Sequence, residues 1–281
     1  MSGAVLLAVL ASALMHAAWN VIAKAIPDRL VSSALIGLAY LVAGAIGCVI
    51  LPVPEPASWP ALIASAFLQS LYLLLLTAAY ARTDFSVAYP LTRGLAVLGV
   101  TVLSLTVLGE RLHALQMIGV VLVIGALLAL AFLRHPRSTR TGLLLALAVG
   151  ACVTGYSFVD GVGVRVAGTA LGYAAWLFLL QGVAIPLSCL LLARDRRAHL
   201  RGIRRHARIG MVGGLLSLAA YTIVVWAQSV APLALVSALR ETGVLMAGIA
   251  GMIFFREKPG AVGIVATLVT VGGIVLIRLG M

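Results

Sequence analysis

Charge and cysteine are both scarce in this chain of 281 residues. Asp, Glu, Lys and Arg make up 10% of it, against roughly 25% in a soluble domain. The three cysteines, Cys48, Cys152 and Cys189, each lie inside an apolar run, with no Cys-x-x-Cys pair and no Cys/His spacing typical of a metal site. These shortages exclude a disulfide-stabilised secreted scaffold and predict that the chain binds no metal.

Catalytic motifs are missing as well. The sequence has no Gly-x-Ser-x-Gly elbow, no His-Glu-x-x-His helix and no Walker A loop for phosphates. No nucleophile stands at a recognisable spacing from a base. We therefore expect no catalytic residue, no cofactor and no enzymatic activity.

Apolar residues are what the chain has in excess. They make up 63% of it, and the mean hydropathy is +1.15, whereas a soluble domain is about 45–50% apolar. Such a chain has too few polar groups to cover its own surface, and its apolar content also excludes disorder. The surrounding solvent is therefore predicted to be lipid.

Ten apolar stretches are long enough to cross a bilayer, which takes about 20 helical residues. They are continuously apolar and do not alternate in period two, so barrel strands are excluded. The chain is predicted to be an all-α integral membrane protein with ten transmembrane helices. The ten spans lie near 3–26, 31–51, 60–80, 86–108, 113–133, 141–163, 169–193, 209–230, 232–254 and 260–279.

Basic residues concentrate on one side of these spans. Three of the twenty Lys and Arg residues lie on the opposite side and two lie within spans. Because basic loops stay in the cytoplasm, this asymmetry predicts that both termini lie outside it. We interpret the net charge of +12 as membrane topology, so no nucleic acid partner is expected. The longest polar stretch, 194–208, contains seven arginines and is interpreted as a cytoplasmic anchor. The basic side comprises Lys24, Arg29, Arg82, Arg134, Arg137, Arg140, the arginines of 194–208, Arg256 and Lys258.

The two halves of the chain repeat each other. Arg93 and Arg240 are 147 residues apart, as are Glu110 and Glu257, and Gly125 and Gly272. This offset predicts two five-span repeats, residues 1–134 and 141–281. Because five is odd, the second repeat enters the membrane from the opposite side. Inverted repeats of this kind suit alternating access to a central cavity near the membrane midplane.

The Gly-Glu-Arg sequence at 109–111, Lys24 at the end of span one and the paired halves resemble the drug/metabolite transporter superfamily, EamA type. Within it, the chain is similar to bacterial amino-acid exporters of the YddG kind. The resemblance implies a ten-helix basket, with spans 1, 3, 4, 6, 8 and 9 around the cavity and spans 5 and 10 at the rim. It also implies that both termini are cytoplasmic, which opposes the charge asymmetry and leaves the orientation open.

Four charged residues lie within predicted spans, where an unpaired charge costs a few kcal/mol or more. They are Arg93 in span four, Asp160 in span six, and Arg240 and Glu241 in span nine. Two guanidinium groups facing a cavity are suited to a carboxylate or phosphonate, and the acids to an ammonium group. The alternative is a structural role, since two arginines and two carboxylates can neutralise each other in interhelical ion pairs.

Polar and aromatic residues complete the predicted substrate site. His16 and Asn20 share one face of span one, with Trp19 beside them, and this face lines the cavity or bonds to another helix. Tyr156 and Asp160 follow His16 and Asn20 at a spacing of 140. His16 could also carry a proton in a coupled cycle. The full predicted set is His16, Trp19, Asn20, Tyr72, Tyr89, Arg93, Tyr156, Asp160, Tyr221, Arg240 and Glu241.

Together these features predict a multi-pass secondary transporter in the bacterial inner membrane. The predicted activity is export of small polar metabolites, amino acids above all, by alternating access. The alternatives are a carrier for another small anion, such as an organic acid or a phosphonate, multidrug efflux, and a lipid-handling membrane protein. The expected partners are a small-molecule substrate and the bilayer, with the protein acting as a monomer.

Overall fold

All regular secondary structure in the described part of the computed structural model is helical, which confirms the all-α fold class. The structure describes residues 2–80, 82–83, 85–133, 139–243 and 260–280. A short 3-10 helix, Pro56–Ser58, precedes the third long helix. The α-helices are α1 Gly3–Lys24, α2 Arg29–Ile50, α3 Trp59–Tyr80, α4 Phe85–Thr106, α5 Ala114–Phe132, α6 Arg140–Arg165, α7 Ala170–Leu192, α8 Arg196–Val230, α9 Leu233–Arg240 and α10 Ala261–Leu279.

Within the described ranges, nine helices are long and apolar enough to cross a membrane. The predicted ninth span, 232–254, is described only as far as residue 243, so α9 is its first part, and Glu257 lies outside the described residues. Many helices present large apolar side chains outward. The side chains of Val49 and Ile50, for example, are 86% and 72% exposed. Exposure on this scale is costly in water and costs nothing against lipid.

Several helices begin at the polar residues that interrupt the apolar runs. Asp28 accepts hydrogen bonds from the first turn of α2, and Asp195 does the same for α8. The hydroxyl of Thr169 accepts from the backbone of Gly172 at the start of α7. A side-chain oxygen at this position satisfies an amide that has no partner inside the helix. The breaks between the predicted spans therefore also act as helix caps.

The arginine-rich stretch 194–208 differs from the sequence-based interpretation. The predicted span eight begins at residue 209, but α8 starts at Arg196 and continues without interruption to Val230. Small or apolar residues lie on one side of this segment and pack against α2 or the cluster at its start; they are Gly202, Ile203, Ala207 and Gly210. This packing stabilises the helical conformation, so the extension is helical despite its polar composition.

The described chain divides into two compact units. One contains residues 1–10, 71–158 and 230–281, and the other contains 11–70 and 159–229. Each unit therefore draws on both halves of the sequence. In the first unit, α5 packs along α10 and α4 contacts α5 and α9. In the second, α2 packs along α7. The division into repeats 1–134 and 141–281 stays a prediction about the sequence.

The helices α5 and α10 occupy the same place in the two predicted repeats and run antiparallel. The side chain of Gln116, at the start of α5, donates a hydrogen bond to the carbonyl of Gly280, at the end of α10. Further along, Gly119 and Gly273 contact each other so closely that a Cβ on either would collide with the other's carbonyl oxygen. Close approach through small residues is the usual way in which membrane helices associate.

The helices α2 and α7 form an equivalent antiparallel pair in the other unit. Gly37 lies against Pro186, Gly44 against Leu179 and Gly47 against Ala175. The residue number rises along α2 as it falls along α7. Corresponding helices of the two repeats therefore run in opposite directions in both units, as an axis in the membrane plane requires.

The close glycine contact between α5 and α10 predicts that a larger side chain at this point destabilises the protein. Gly119→Ala should lower the unfolding temperature of the purified protein, because the new Cβ meets backbone of α10 that cannot rotate away. Overpacking of this kind typically costs about 1–3 kcal/mol. The matched control is Gly125→Ala on the same helix, where a Cβ would meet no atom within 4 Å. Equal unfolding temperatures for the two variants would contradict this packing.

Candidate functional site

An ion pair between two helices lies at the centre of the candidate site. The guanidinium nitrogen Nη1 of Arg93, on α4, lies 3.7 Å from the carboxylate oxygen Oε1 of Glu241, directly after α9. The two side chains are 12% and 6% exposed. Arg93 is about 12 Å along α4 from its first residue, and therefore lies well inside the span. The ion pair that sequence considerations offered as an alternative is thus present between spans four and nine.

Tyrosines surround this pair. Arg93 lies over the ring of Tyr89, with its Cζ atom 5.5 Å from the ring centroid. Tyr72 and Tyr156 meet edge to face, with centroids 6.1 Å apart, and both interact electrostatically with Arg93. Arg240 interacts in the same way with Glu241. We call this set the Arg93 cluster: Tyr72, Tyr89, Arg93, Tyr156, Arg240 and Glu241.

The start of α9 is held by the Gly-Glu-Arg segment of the first repeat. Gly109 has a φ of +64°, a conformation that favours glycine, and the turn it forms brings Glu110 back toward α4. The Glu110 carboxylate accepts a hydrogen bond from the backbone of Leu233 at 2.9 Å and another from the hydroxyl of Ser104. An anionic group at a helix N-terminus binds amides that lack intrahelical partners. Glu110 therefore fixes the helix that carries Arg240 and leads to Glu241.

Asp160 is the centre of a second polar network, in the other compact unit. Its side chain has no exposed surface. The Tyr173 hydroxyl donates to Oδ1 at 3.0 Å, and the Tyr221 hydroxyl donates to Oδ2 at 2.5 Å. Short phenol-to-carboxylate bonds are typical of an ionised acceptor. Asp160 thus links α6 to α7 and α8, a structural arrangement that also leaves its role toward substrate a prediction.

A neutral hydrogen bond lies in the same unit. The hydroxyls of Tyr40 and Ser217 are 2.6 Å apart. The ring of Phe178 lies between the tyrosines, with its centroid 4.9 Å from that of Tyr40 and 6.3 Å from that of Tyr221. Aromatic packing therefore connects α2, α7 and α8 around the Asp160 network.

The predicted stripe on α1 is bonded locally. The indole nitrogen of Trp19 donates to Nδ1 of His16 at 3.1 Å, and the Asn20 amide donates to the His16 carbonyl at 2.7 Å. An Nδ1 that accepts a hydrogen bond carries no proton. All three side chains are half-buried. The structure thus keeps His16, Trp19 and Asn20 together, and a role in binding stays a prediction.

The eleven predicted residues therefore fall into three groups. Six form the Arg93 cluster, two belong to the Asp160 network and three lie on α1. Tyr173 and Glu110 are polar partners that the sequence did not assign to the site. Nothing local distinguishes Tyr173 from other aromatic residues of span seven, because its importance comes from Asp160, thirteen residues away. Within the ranges that the structure describes, no three His, Cys, Asp or Glu residues are grouped as metal ligands would be.

The Asp160 network predicts a difference between two tyrosine substitutions. Tyr221→Phe removes a hydrogen bond to a charged group, which is worth about 1.5–3 kcal/mol, whereas Tyr40→Phe removes a neutral one worth about 0.5–1.5 kcal/mol. Both variants keep the ring and its packing. Thermal unfolding in one detergent should show the greater loss for Tyr221→Phe. An equal or smaller loss would mean that Asp160 is not an ionised acceptor.

Comparisons with known proteins identify the family and a similar fold. The model of the EamA-like transporter family matches the chain twice, at residues 3–132 and 140–279. One solved structure, titled only as the crystal structure of a protein, is similar with a TM-score of 0.71 and 16% sequence identity, over 99% of this chain and 98% of its own. That likeness concerns the fold alone. A search of curated proteins found no match. Because the family model covers nearly the whole chain, the protein belongs to the EamA-like transporter family and is a membrane transporter of the drug/metabolite type.

Proposed function

We propose that this transporter exports small zwitterionic metabolites, amino acids above all, and binds them at the Arg93 cluster. The observation that carries the proposal is the buried Arg93–Glu241 pair, which places one positive and one negative side chain 3.7 Å apart inside the membrane. The amino-acid exporters of the YddG type, which the sequence resembles, support the same substrate class by analogy.

The proposed binding step is an exchange of partners. An α-amino acid carries a carboxylate and an ammonium group a few bonds apart. Its carboxylate would accept hydrogen bonds from Arg93, and its ammonium group would donate to Glu241. Each buried charge then keeps a partner throughout, so the exchange avoids the penalty of an isolated charge in a low-dielectric site. A single carboxylate without an ammonium group would give Glu241 no replacement for Arg93 by this route.

The geometry of the pair favours such an exchange. At 3.7 Å the contact is longer than the 2.7–2.9 Å of a tight charged hydrogen bond. The pair is therefore close enough to neutralise both charges and loose enough to open. Tyr72, Tyr89 and Tyr156 offer ring faces to the substrate side chain and hydroxyls to its polar groups.

Arg93 and Glu241 lie on corresponding spans of the two predicted repeats. We propose that opening and closing this contact accompanies alternating access in a bacterial inner membrane. Breaking the pair when substrate binds would uncouple α4 from α9, and releasing the substrate would join them again. The export direction comes from the resemblance alone.

A second candidate substrate is a small organic anion. Arg240 interacts with the same carboxylate as Arg93, so these three residues carry one more positive than negative charge. A carboxylate or phosphonate could bind to this net positive charge without an ammonium group. This candidate differs from the first in which compounds compete for transport.

The Arg93–Glu241 pair can be tested by neutralising it stepwise. We expect Arg93→Gln and Glu241→Gln to lose stability, because each leaves one buried charge without its partner, at a cost of about 3–5 kcal/mol. The double variant should regain part of that stability, since both charges of the pair are removed together and only Arg240 loses the Glu241 carboxylate. Its uptake of labelled amino acids into proteoliposomes should nevertheless stay at least tenfold below that of the parent protein.

The stability and transport readouts separate a structural pair from a binding site. A double variant that both folds and transports at the parent rate would show that the pair serves packing alone, and would reject this substrate site. Arg111→Gln is the matched control, because Arg111 is an exposed arginine of the same repeat. Its stability and flux should match those of the parent protein.

Competition separates the two substrate classes. In proteoliposomes that transport a labelled amino acid, we expect unlabelled zwitterionic amino acids to reduce flux more than the matching acids that lack the amino group. The physical reason is that only a zwitterion supplies partners to both Arg93 and Glu241. Stronger competition by the deaminated acids would favour the anion carrier instead.

A further inference from the structure

The N-terminal end of α8, which the sequence places at the membrane surface, carries arginines that lie outside the Arg93 cluster. On a helix with 100° per residue, Arg197, Arg201, Arg204, Arg205 and Arg208 fall within an arc of about 100°. All five side chains are exposed. We call these five residues the arginine face.

The opposite side of this helical segment is packed. Gly202 lies against Val31, Gly210 lies against Leu35, and Ile203 packs on the cluster that these α2 residues form with Ile26. This docking on α2 sets the rotation of the segment about its axis. The arginine face is therefore held outward by the fold, away from α2.

These arginines lack carboxylate partners among the residues that the structure describes. Within the described ranges, none of these five arginines forms an ion pair within 4 Å. The nearby carboxylates of Asp28 and Asp195 cap α2 and α8 through their backbone amides. A row of exposed guanidinium groups is thus available to an anionic partner.

The length of α8 fixes the depth of each arginine. From Arg208 to Val230 the helix is about 33 Å long, close to the roughly 30 Å thickness of the hydrocarbon core. With the axis of α8 along the membrane normal and Val230 at one boundary of the core, Arg208 lies at the other. Arg204 and Arg205 lie about 5–6 Å farther along the axis, which is within the headgroup layer, and Arg197 lies about 16 Å beyond the boundary.

We propose that Arg204, Arg205 and Arg208 bind the phosphate groups of anionic phospholipids. Guanidinium groups match phosphate oxygens in pairs, and basic clusters next to a transmembrane helix are attracted to anionic bilayer surfaces. The lipid is the partner that the depth argument selects, because these side chains start at headgroup level. This site is separate from the substrate site and does not depend on which substrate is carried.

The test compares two triple substitutions with the same loss of charge. In detergent micelles, phosphatidylglycerol should raise the unfolding temperature of the parent protein, and phosphatidylcholine should not. R204Q/R205Q/R208Q should lose most of this increase. R196Q/R197Q/R201Q is the matched control at the far end of the segment and should keep most of it. Each arginine near an anionic surface contributes about fivefold in binding constant, so the first variant should bind about 100-fold more weakly.

Several other outcomes would overturn the proposal. An increase that is equal for the two lipids, or equal losses in the two triple variants, would overturn it. An increase of the same size with soluble glycerol phosphate would assign the site to a free phosphate ester instead of a lipid. If R204Q/R205Q/R208Q does not fold, the parent protein is measured at several salt concentrations instead. The rise in unfolding temperature caused by phosphatidylglycerol should shrink as salt increases. A rise that does not depend on salt would overturn the proposal.

Discussion

The bilayer core contains no water, so every charge placed there needs a partner within the protein. This constraint accounts for the polar chemistry of the described chain. Arg93 lies beside Glu241, and Asp160 accepts bonds from two tyrosines. Charges that a soluble protein would leave on its surface are gathered here into two buried groups. A site whose charges must always be paired can bind a substrate only by replacing one partner with another.

The inverted arrangement determines where such partners come from. Equivalent helices of the two repeats run antiparallel and approach closely through Gly119 and Gly273 in one unit, and through Gly44 and its neighbours in the other. The same relation places span four of one repeat beside span nine of the other. Glu110 adds a direct link, since a residue of the first repeat caps a helix of the second. The ion pair is therefore also a contact between repeats, which is where the proposed alternating access requires movement.

Much of the fold follows from composition and the 147-residue offset, because bilayer thickness sets span length and an odd number of spans forces inversion. The candidate site is predictable in part. Arg93, Asp160 and Glu241 are conspicuous as charges in apolar runs, but their partners are not. Glu241 is far from Arg93 in sequence, and Tyr173 looks like any aromatic residue of a membrane helix. Pairing across helices depends on rotation and register, which single-chain patterns do not encode. The helical extension of α8 was missed because its arginines obscured the periodic small and apolar residues beneath them.

The central claim is that substrate separates the buried pair and becomes the new partner of each member. The most direct measurement is an experimental structure in a lipid environment with the best competitor from the flux assays bound. The account predicts a substrate carboxylate on the Arg93 guanidinium group, a substrate ammonium group on Glu241, and a separation between the two side chains well above the present 3.7 Å. A bound substrate elsewhere, with Arg93 and Glu241 still in contact, would contradict it.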